Sequence, residues 1–577
     1  MKTRFASLKE WILKRKTKLK EIGLFLIIIL VISLATFVSA KIYEKVHQQN
    51  IVDYDWLSKN VSLTASSPLG ENVYRVLKSD DIDPYNENYR RVIDEKYDSQ
   101  KQGIYDISGP LIIHNLYGTN PLSLNIYLQT EEELSLNYII YIRDEDDIPE
   151  FARTMKNSSD DNLTTIHEYQ IIGFVPGYVN TLRIELRDEN GELVETTERD
   201  YDFTNVETLS QTFATVTTGT SKAELADGLY TILGNDSDDQ DYVAMYDNAG
   251  VLRAEIPIIG YRAHRILFDD NSMYFSISQS KIVKMSNQGR VEEVYQTGKY
   301  QLHHDYTFAD DGNLIVLANN TKKDTEEDCI IKIDLETKKV TELVDFEPMF
   351  QEYVDTCTLD TKSTRDEGED GLDWLHLNSI EYVDGDVFLS SRETSSILKV
   401  KNIETDPELE YILSAEEIWE NTPFANYVYE QIGDFKIHAG QHSVRYTATD
   451  DPDIYYLTFF DNNYGVSNSQ PDFNYEKIGI TNNNPFTGDH SYYYVYKVSE
   501  KNKIFELVDS IELVYSGIVS SIQNLDNGNI LTDSGTAAVY AEYDENHKLI
   551  KSFKLKMNKY MVYRVLKYDF NDFWFED

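Results

Sequence analysis

Histidines occur in three similar phrases of this chain, and they are the side chains best suited to carry chemistry. The phrases are Leu302-His303-His304-Asp305, Trp374-Leu375-His376-Leu377-Asn378 and Gly440-Gln441-His442. Each phrase precedes an apolar run, a turn containing Asp, Asn or Gly, and a second apolar run, so the three look like one repeated position. The sequence contains no Gly-x-Ser-x-Gly, phosphate-binding loop, His-Glu-x-x-His or paired-cysteine motif. Imidazole is therefore the leading candidate for nucleophilic or acid–base chemistry.

A repeat of drifting period positions these histidines. Its units begin at about Ala226, Arg265, His304, His376, His442 and Ile518. Each unit continues as strand, turn, strand and two further strands, and four strands in each of about six units is typical of a β-propeller. The segment 561–566 is predicted as a last strand that closes the ring. The first strand of every blade lines the central channel, so His304, His376 and His442 are expected to converge there.

Two kinds of chemistry fit such a cluster. The histidines could bind zinc, or they could perform group transfer with help from Asn378 and Arg392. Carboxylates near the cluster are limited to Asp305 and Asp373, so metal binding is the weaker interpretation and the site-residue prediction includes no metal ligand. Each of these residues, taken singly, also has a purely structural interpretation. His376 could be a core histidine, Arg392 a salt-bridged strand residue, and Asn378 a turn or ladder cap. Of the other histidines, His438 is predicted to be structural and His264 is left open.

The remainder of the chain divides by composition. Residues 1–20 form a basic tail with eight Lys or Arg, residues 21–40 a transmembrane anchor or signal segment, and residues 41–103 a polar stalk. The uncharged run at 22–38 is at the lower limit for a spanning helix, and the basic flank favours a cytoplasmic amino terminus with the rest exported. Short alternating strands at 104–210 predict a small β-sandwich, followed by the propeller at 220–577.

The net charge of the chain restricts the kinds of partner that it can bind. The formal net charge of −45, from 99 acidic and 54 basic side chains, argues against nucleic-acid binding.

Exported chains can form disulfides, and Cys329 and Cys357 could pair or remain as two buried thiols.

Four phrases in a fixed order resemble the bacterial arylsulfate sulfotransferase family, which is independent of the nucleotide sulfate donor. They are His303-His304-Asp305, the segment 373–380, Leu389-Ser390-Ser391-Arg392 and Gly440-Gln441-His442. The resemblance covers about 225–577 and, more weakly, the small sandwich before it. It implies a six-bladed propeller that moves a sulfuryl group from a phenolic sulfate ester to another phenol through a sulfated histidine.

The resemblance also implies roles by motif position. His442 would be the nucleophile, with His304, His376, Asn378 and Arg392 as assisting residues. His303, rather than His304, could be the residue that matches the family motif. The resemblance further predicts that His303 and Tyr563 bind substrate. Imidazole is a good nucleophile near neutral pH, a protonated His304 or His376 could donate to a departing phenolate, and an arginine fork suits sulfate oxygens. One site serving both half-reactions predicts ping-pong kinetics without a cofactor.

The expected protein is thus an all-β, exported and membrane-anchored enzyme whose partners are a phenolic sulfate donor, a phenol acceptor and the membrane, with a homodimer as a further option. Two rival hypotheses are a non-catalytic propeller that binds a protein or glycan, and a metal-dependent hydrolase or lyase, because fold alone does not fix function. An aryl sulfatase is a nearer variant.

Overall fold

The computed structural model describes residues 52–234, 242–269, 271–358, 371–556 and 561–576. The described residues form two compact units, one drawn from residues 52–64 and 76–100 and the other from residues 65–75 and 101–576. Within the described ranges no helix combines the length and the apolar character needed to cross a bilayer. The predicted tail and anchor, residues 1–40, lie outside these ranges.

The first unit contains helix α1 (Tyr54–Asn60), strand β1 (Ser62–Thr64) and helix α2 (Glu87–Gln100). Asp53 caps α1, because its side chain accepts the Trp56 N–H. Helix α2 is polar overall, yet its buried residues include Tyr89, Val92, Ile93 and Tyr97, at the spacing of one helical face. The polar composition predicts a stalk here, whereas the structure has regular elements, because a narrow apolar stripe is enough to form a helix with one buried face.

The second unit begins with the predicted sandwich domain. Its strands are β2 (Val73–Leu77), β3 (Leu111–His114), β4 (Ser123–Tyr141), β5 (Phe151–Thr154), β6 (Thr164–Ile172), β7 (Val179–Arg187) and β8 (Leu193–Asp202). The 19-residue strand β4 pairs with β3 and β6 through its first half, and with β5 and β7 through its second. The register shifts between Gln129 and Leu134, so one bent strand contributes to both layers.

The remaining strands form six sheets arranged as propeller blades, as the repeat predicts. In chain order they are β9 (Thr215–Thr218), β10 (Leu229–Ile232), β11 (Tyr242–Tyr246), β12 (Leu252–Pro257), β13 (Leu267–Asp269), β14 (Ser272–Ser278), β15 (Lys281–Ser286), β16 (Val291–Gln296), β17 (Tyr300–Phe308), β18 (Leu314–Asn320), β19 (Cys329–Ile333), β20 (Val340–Asp345), β21 (Leu377–Val383), β22 (Asp386–Ser391), β23 (Ser396–Lys401), β24 (Glu408–Leu413), β25 (Glu430–Ile432), β26 (His442–Ala448), β27 (Ile454–Asp461), β28 (His490–Ser499), β29 (Ile504–Val514), β30 (Ser521–Asn524), β31 (Ile530–Ser534), β32 (Val539–Tyr543), β33 (Leu549–Lys554) and β34 (Val565–Tyr568).

The last strand of the chain closes the ring. Blade one has the order β34-β10-β11-β12, so its inner strand comes from the carboxyl end. Blades two, three and four are β13–β16, β17–β20 and β21–β24. Blade five is β26–β29 with β25 added outside β29, and blade six is β30–β33 with β9 added outside β33. The closing strand lies at 565–568, within four residues of the predicted 561–566.

Short helical segments follow blades three and four in the chain. They are α3 (Phe346–Met349), α4 (Gln351–Val354) and α5 (Glu416–Trp419), and their aromatic residues pack with Trp374 in one buried cluster. Short 3-10 turns lie at Pro423–Tyr427, Tyr475–Ile478 and Gly535–Ala537. Cys329 and Cys357 are free thiols.

The sandwich domain and blade one share a buried boundary within the second unit. Ile142, Ile148 and Val175 from the sandwich pack with Val251 from the propeller. The Arg253 guanidinium donates to the carbonyl oxygens of Gly173 and Pro149, at 3.1 and 2.7 Å. These contacts join the domain to the propeller rather than leaving it as a separate module.

Candidate active site

The three histidine phrases meet because each interrupts the inner strand of its blade. The β17–β18 ladder shifts register between Leu302 and Tyr306, and the first ladders of blades four and five shift at 377–379 and 442–445. His304 and His376 take the left-handed conformation, with φ of 54° and 49°, as does Ser443 beside His442, with φ of 61°. Such backbone costs roughly 1–3 kcal/mol at a non-glycine residue, so the surrounding fold must hold it. His304 lies inside such a shift, His376 lies directly before the first pair of its ladder, and His442 forms the first pair of its own.

His442 is held by one ring nitrogen. Its Nδ1 lies 2.8 Å from Asn462 Oδ1 and 3.0 Å from the Gly440 carbonyl oxygen, both of which can only accept a hydrogen bond. Asn462 is oriented in turn, because its Nδ2 donates to the carbonyl oxygens of Ser516 and Val519. Nδ1 therefore carries the proton and Nε2 the lone pair. Burial lowers the pKa of His442 well below 6.5, so the ring is neutral at neutral pH.

His304 uses both ring nitrogens. Nε2 lies 3.2 Å from Glu327 Oε2, and Nδ1 lies 3.0 Å from the Tyr563 hydroxyl, which is also 3.0 Å from the His304 carbonyl oxygen. A neutral ring donates from Nε2 to Glu327, and its Nδ1 then shares the single Tyr563 hydroxyl hydrogen with the His304 carbonyl oxygen. Burial lowers the pKa of His304 to about 3 despite the carboxylate. Tyr563 thus orients His304.

His376 is the cationic member of the cluster. Its Nδ1 lies 2.5 Å from Glu327 Oε2 and 2.7 Å from Asp373 Oδ2. Burial and the neighbouring Arg392 lower its pKa, but the two carboxylates outweigh them and raise it to about 9. Its Nε2 is buried and has no hydrogen-bond partner among the described residues. The ring centroids of His304 and His376 are 4.7 Å apart.

Glu327 contacts the rings of both His304 and His376, and it is not among the site residues predicted from the sequence. Burial opposes its ionisation, yet the imidazoles of His376, His304 and His303 hold its pKa well below 4.5. Its backbone has φ of 55° and its carbonyl oxygen accepts the Leu377 N–H. Nothing in the segment 321–327 distinguishes this glutamate from other acids of the chain. Asn462 was missed as well, since it follows a strand without a motif.

Arg392 and Asn378 also lie at the cluster. One Arg392 nitrogen, Nη2, lies 3.2 Å from Asp373 Oδ2 and 2.7 Å from Glu393 Oε1, and the guanidinium is only partly exposed. Asn378 Nδ2 donates to the Gln441 carbonyl oxygen at 2.8 Å, next to His442 in the chain. Its Oδ1 is buried without a partner in the described structure. Asn378 therefore supports the segment that contains His442.

The remaining predicted residues have supporting positions. Asp305 accepts from Arg265 and Arg564 at 3.1 and 3.0 Å, in a buried ion network away from the His304 ring. His438 Nδ1 lies 3.1 Å from the Tyr496 hydroxyl, and His264 Nδ1 lies 3.0 Å from Ser276 Oγ.

A family model described as Arylsulfotransferase (ASST) matches residues 215–572, more than half of the chain. The chain belongs to the arylsulfotransferase family. A second model, the Arylsulfotransferase Ig-like domain, matches residues 111–202, the sandwich strands β3–β8. The resemblance seen in the histidine phrases is thus confirmed, and the family supports aryl sulfotransfer as the general activity. No curated protein matches this arylsulfotransferase.

Solved structures of other enzymes are similar at low identity. A streptogramin B lyase is 12% identical, covering 60% of this chain and 90% of that chain with a TM-score of 0.30. Virginiamycin B lyase from Staphylococcus aureus is 10% identical, covering 60% and 90% with a TM-score of 0.30. A putative 6-phosphogluconolactonase from Bacteroides uniformis is 9% identical, covering 76% and 97% with a TM-score of 0.31. Similarity of this degree carries no functional argument.

Two overlapping groups in this arylsulfotransferase have donor atoms within 4.8 Å of one another: His303, His304 and Glu327, and Glu327, Asp373 and His376. The carboxylates of the second group already share the Nδ1 proton of His376. More acid surrounds the cluster than the sequence indicates, because Glu327 comes from a loop that the phrases do not include.

Proposed function

We propose that this arylsulfotransferase moves a sulfuryl group from a phenolic sulfate ester to an acceptor phenol by a ping-pong mechanism through a sulfated His442. The observation that carries the proposal is the attachment of His442 through Nδ1 alone, to Asn462 and Gly440. A buried, neutral imidazole with Nε2 unprotonated is the form that attacks sulfur.

In the first half-reaction, His442 Nε2 attacks the sulfur of the donor. The N–S bond forms as the bond from sulfur to the aryl oxygen breaks, and the electron pair stays on that oxygen. The proton that neutralises the phenolate comes from His376 Nε2, since His376 is the imidazolium of the site. His304 is less suited to this role, because Glu327 and Tyr563 engage both of its nitrogens. Arg392 and the second amide hydrogen of Asn378 bind sulfuryl oxygens.

The second half-reaction reverses these steps with a new phenol. Neutral His376 takes the proton of the acceptor hydroxyl, the O–S bond forms, and the N–S bond breaks to return the electron pair to His442 Nε2. Glu327 and Asp373 stabilise the imidazolium that results. No metal or cofactor takes part in this scheme.

The test is detection of the covalent intermediate. The protein is mixed briefly with p-nitrophenyl sulfate, without acceptor, and quenched under conditions that preserve an N–S bond. We expect a p-nitrophenol burst and a sulfo group, about 80 Da from its atomic masses, on the peptide containing His442. Added phenol should discharge it, whereas discharge by water at the same rate would indicate an aryl sulfatase.

His442→Ala should lack both burst and adduct, and His438→Ala is the matched control, since that histidine packs against Tyr496 instead. Activity that disappears on treatment with a chelator and returns with zinc would contradict the scheme and favour a metal-dependent enzyme.

We also propose that the enzyme is exported and anchored in the membrane by residues 21–40. The basic residues of the first 20 positions and the uncharged run that follows support this orientation. Fractionation of expressing cells tests it. Recovery of the full-length chain in the cytosolic fraction would refute the proposal.

A further inference from the structure

A cavity of about 340 Å³ lies beside the histidine cluster, between loops of blades two and three. His303 and Glu327 form the part of its wall that adjoins His304 and His376, and Gln279, Gln301 and Asn319 line it further out. Its size suits one aromatic ring with a short substituent. The mechanism proposed above places no ligand group in it.

His303 is a buried polar side chain of this wall that the fold leaves unpaired. It is 2% exposed, and neither ring nitrogen makes a hydrogen bond of normal geometry with the described residues, although the Ala318 carbonyl oxygen is nearby. A buried ring nitrogen without a partner destabilises the fold, so its presence calls for a partner that binds from the cavity. Burial lowers the pKa of His303, and a neutral ring offers one donor and one acceptor.

The cavity is acidic. Asp324, Glu326 and Glu327 line it against a single lysine, Lys323. Lys323 Nζ is already paired at 2.6 Å with both Asp345 and Glu347. The wall therefore repels a second negative charge and attracts a positive one.

The position of the cavity suits the aryl part of a substrate. In-line displacement puts the departing or attacking oxygen on the side of the sulfur opposite His442. His376 Nε2 stands at that oxygen in the proposed mechanism, and Glu327, which contacts the other ring nitrogen of His376, is shared between the cluster and the cavity wall. A ring attached to that oxygen can extend past Glu327 towards His303.

We propose that this cavity binds the acceptor phenol and selects phenols with a cationic or neutral hydrogen-bonding substituent over those with an anionic one. The proposal rests on the proposed function and names the substrate class of the same site. His303 hydrogen-bonds the substituent, and Asp324 with Glu326 provides the charge preference. The transfer step is unchanged: the acceptor proton passes to His376 while the O–S bond forms and the N–S bond to His442 breaks.

The test uses three acceptors of nearly equal size with p-nitrophenyl sulfate as donor. They are 4-(2-aminoethyl)phenol, 4-(2-hydroxyethyl)phenol and 4-hydroxyphenylacetate, which carry an ammonium, a hydroxyl and a carboxylate. We expect kcat/KM to fall in that order, by about tenfold or more from ammonium to carboxylate at low ionic strength, and the ratio to shrink with added salt.

Variants assign the preference to the cavity. Asp324→Asn with Glu326→Gln should bring the ammonium-to-carboxylate ratio towards one. Asp526→Asn with Glu545→Gln makes the same change of charge at exposed turns of blade six and should keep the wild-type ratio. Calorimetric titration of 4-(2-aminoethyl)phenol into His442→Ala measures binding without turnover, and His303→Leu in that background should weaken it severalfold.

Each outcome decides between the two proposals. A p-nitrophenol burst with equal transfer to all three acceptors overturns the cavity inference and leaves the sulfohistidine mechanism standing. The cavity inference is also overturned if the cavity variants and the control variants both keep the wild-type charge preference. Absence of both burst and transfer, in folded protein, removes the proposed function and the inference with it.

Discussion

At the scale of single residues, this site shows how neighbours give different protonation states to one side-chain type. His376 has its pKa raised to about 9 by two carboxylates, whereas burial lowers the pKa of His304 to about 3 and that of His442 well below 6.5. At a single pH, the proposed proton donor must be a cationic imidazole and the proposed nucleophile must be a neutral one. Of the two acids that raise the pKa of His376, Asp373 lies in the same sequence phrase as the histidine, whereas Glu327 lies in a different part of the chain.

Glu327→Gln tests this division. His376 must be protonated in the first half-reaction, so the burst rate should be high below pH 9 and fall as the pH rises through about 9. Glutamine no longer offsets burial, so the pKa of His376 should drop and this limb move to lower pH by about one unit or more. KM for the anionic donor should fall at the same time, because one negative charge has left the site.

Glu352→Gln is the control, since that glutamate is exposed on α4. Stopped-flow burst rates between pH 5 and 10 provide the measurement. An alkaline limb at the same pH in Glu327→Gln would mean that another group supplies the proton.

At the scale of elements, ring closure depends on one four-residue strand. Strand β34 pairs with β10 in blade one, and Lys567 connects it to blade six through Glu542 at 2.9 Å. Lys567 Nζ also donates to the Ala226 carbonyl oxygen and Asn248 Oδ1, at 2.6 and 2.8 Å, and lies 4.0 Å from the centre of the Tyr230 ring. The first and last blades are thus joined by a buried ion pair as well as by the ladder.

Lys567→Met should weaken this closure. The substitution leaves Glu542, which is 0% exposed, without its cation, and breaking a buried pair costs about 3–5 kcal/mol. Denaturant unfolding followed by tyrosine and tryptophan fluorescence measures the loss. Lys554→Met, at an exposed position of β33, should leave the midpoint nearly unchanged. A Lys567→Met protein as stable as the wild type would show that the ladder alone closes the ring.

At the scale of the whole molecule, the periodic features were predictable and the loop contributions were not. The strand–turn–strand repeat indicates six blades, and the histidine phrases mark the inner strands of blades three, four and five, because both depend on local pattern. Glu327 and Asn462 reach the site from loops after β18 and β27. Their positions depend on how blades pack, so their spacing from the histidines has no fixed value. Helix α2 escaped prediction for a related reason, since few apolar residues mark it.

The last prediction concerns the coupling of the Ig-like domain to the propeller. Arg253 on β12 is 1% exposed, and its Nε lies 2.7 Å from Asp247 Oδ2 while its other nitrogens bind sandwich carbonyl oxygens. Arg253→Met would leave these acceptors buried and unpaired, at about 3–5 kcal/mol. We expect the wild type to unfold in one calorimetric transition, and the variant to show an earlier transition for the Ig-like domain.

Arg143→Met provides the comparison. Arg143 pairs with Glu198 and Asp200 on the surface of the same domain, where solvent screens the charges and little stability should be lost. Because the Ig-like domain contributes no residue to the histidine cluster among those described, Arg253→Met should retain the wild-type burst with p-nitrophenyl sulfate below its first transition. Loss of the burst at temperatures where the propeller is still folded would mean that the domain boundary also holds blade one, and through β34 the Tyr563 that orients His304, in its active position.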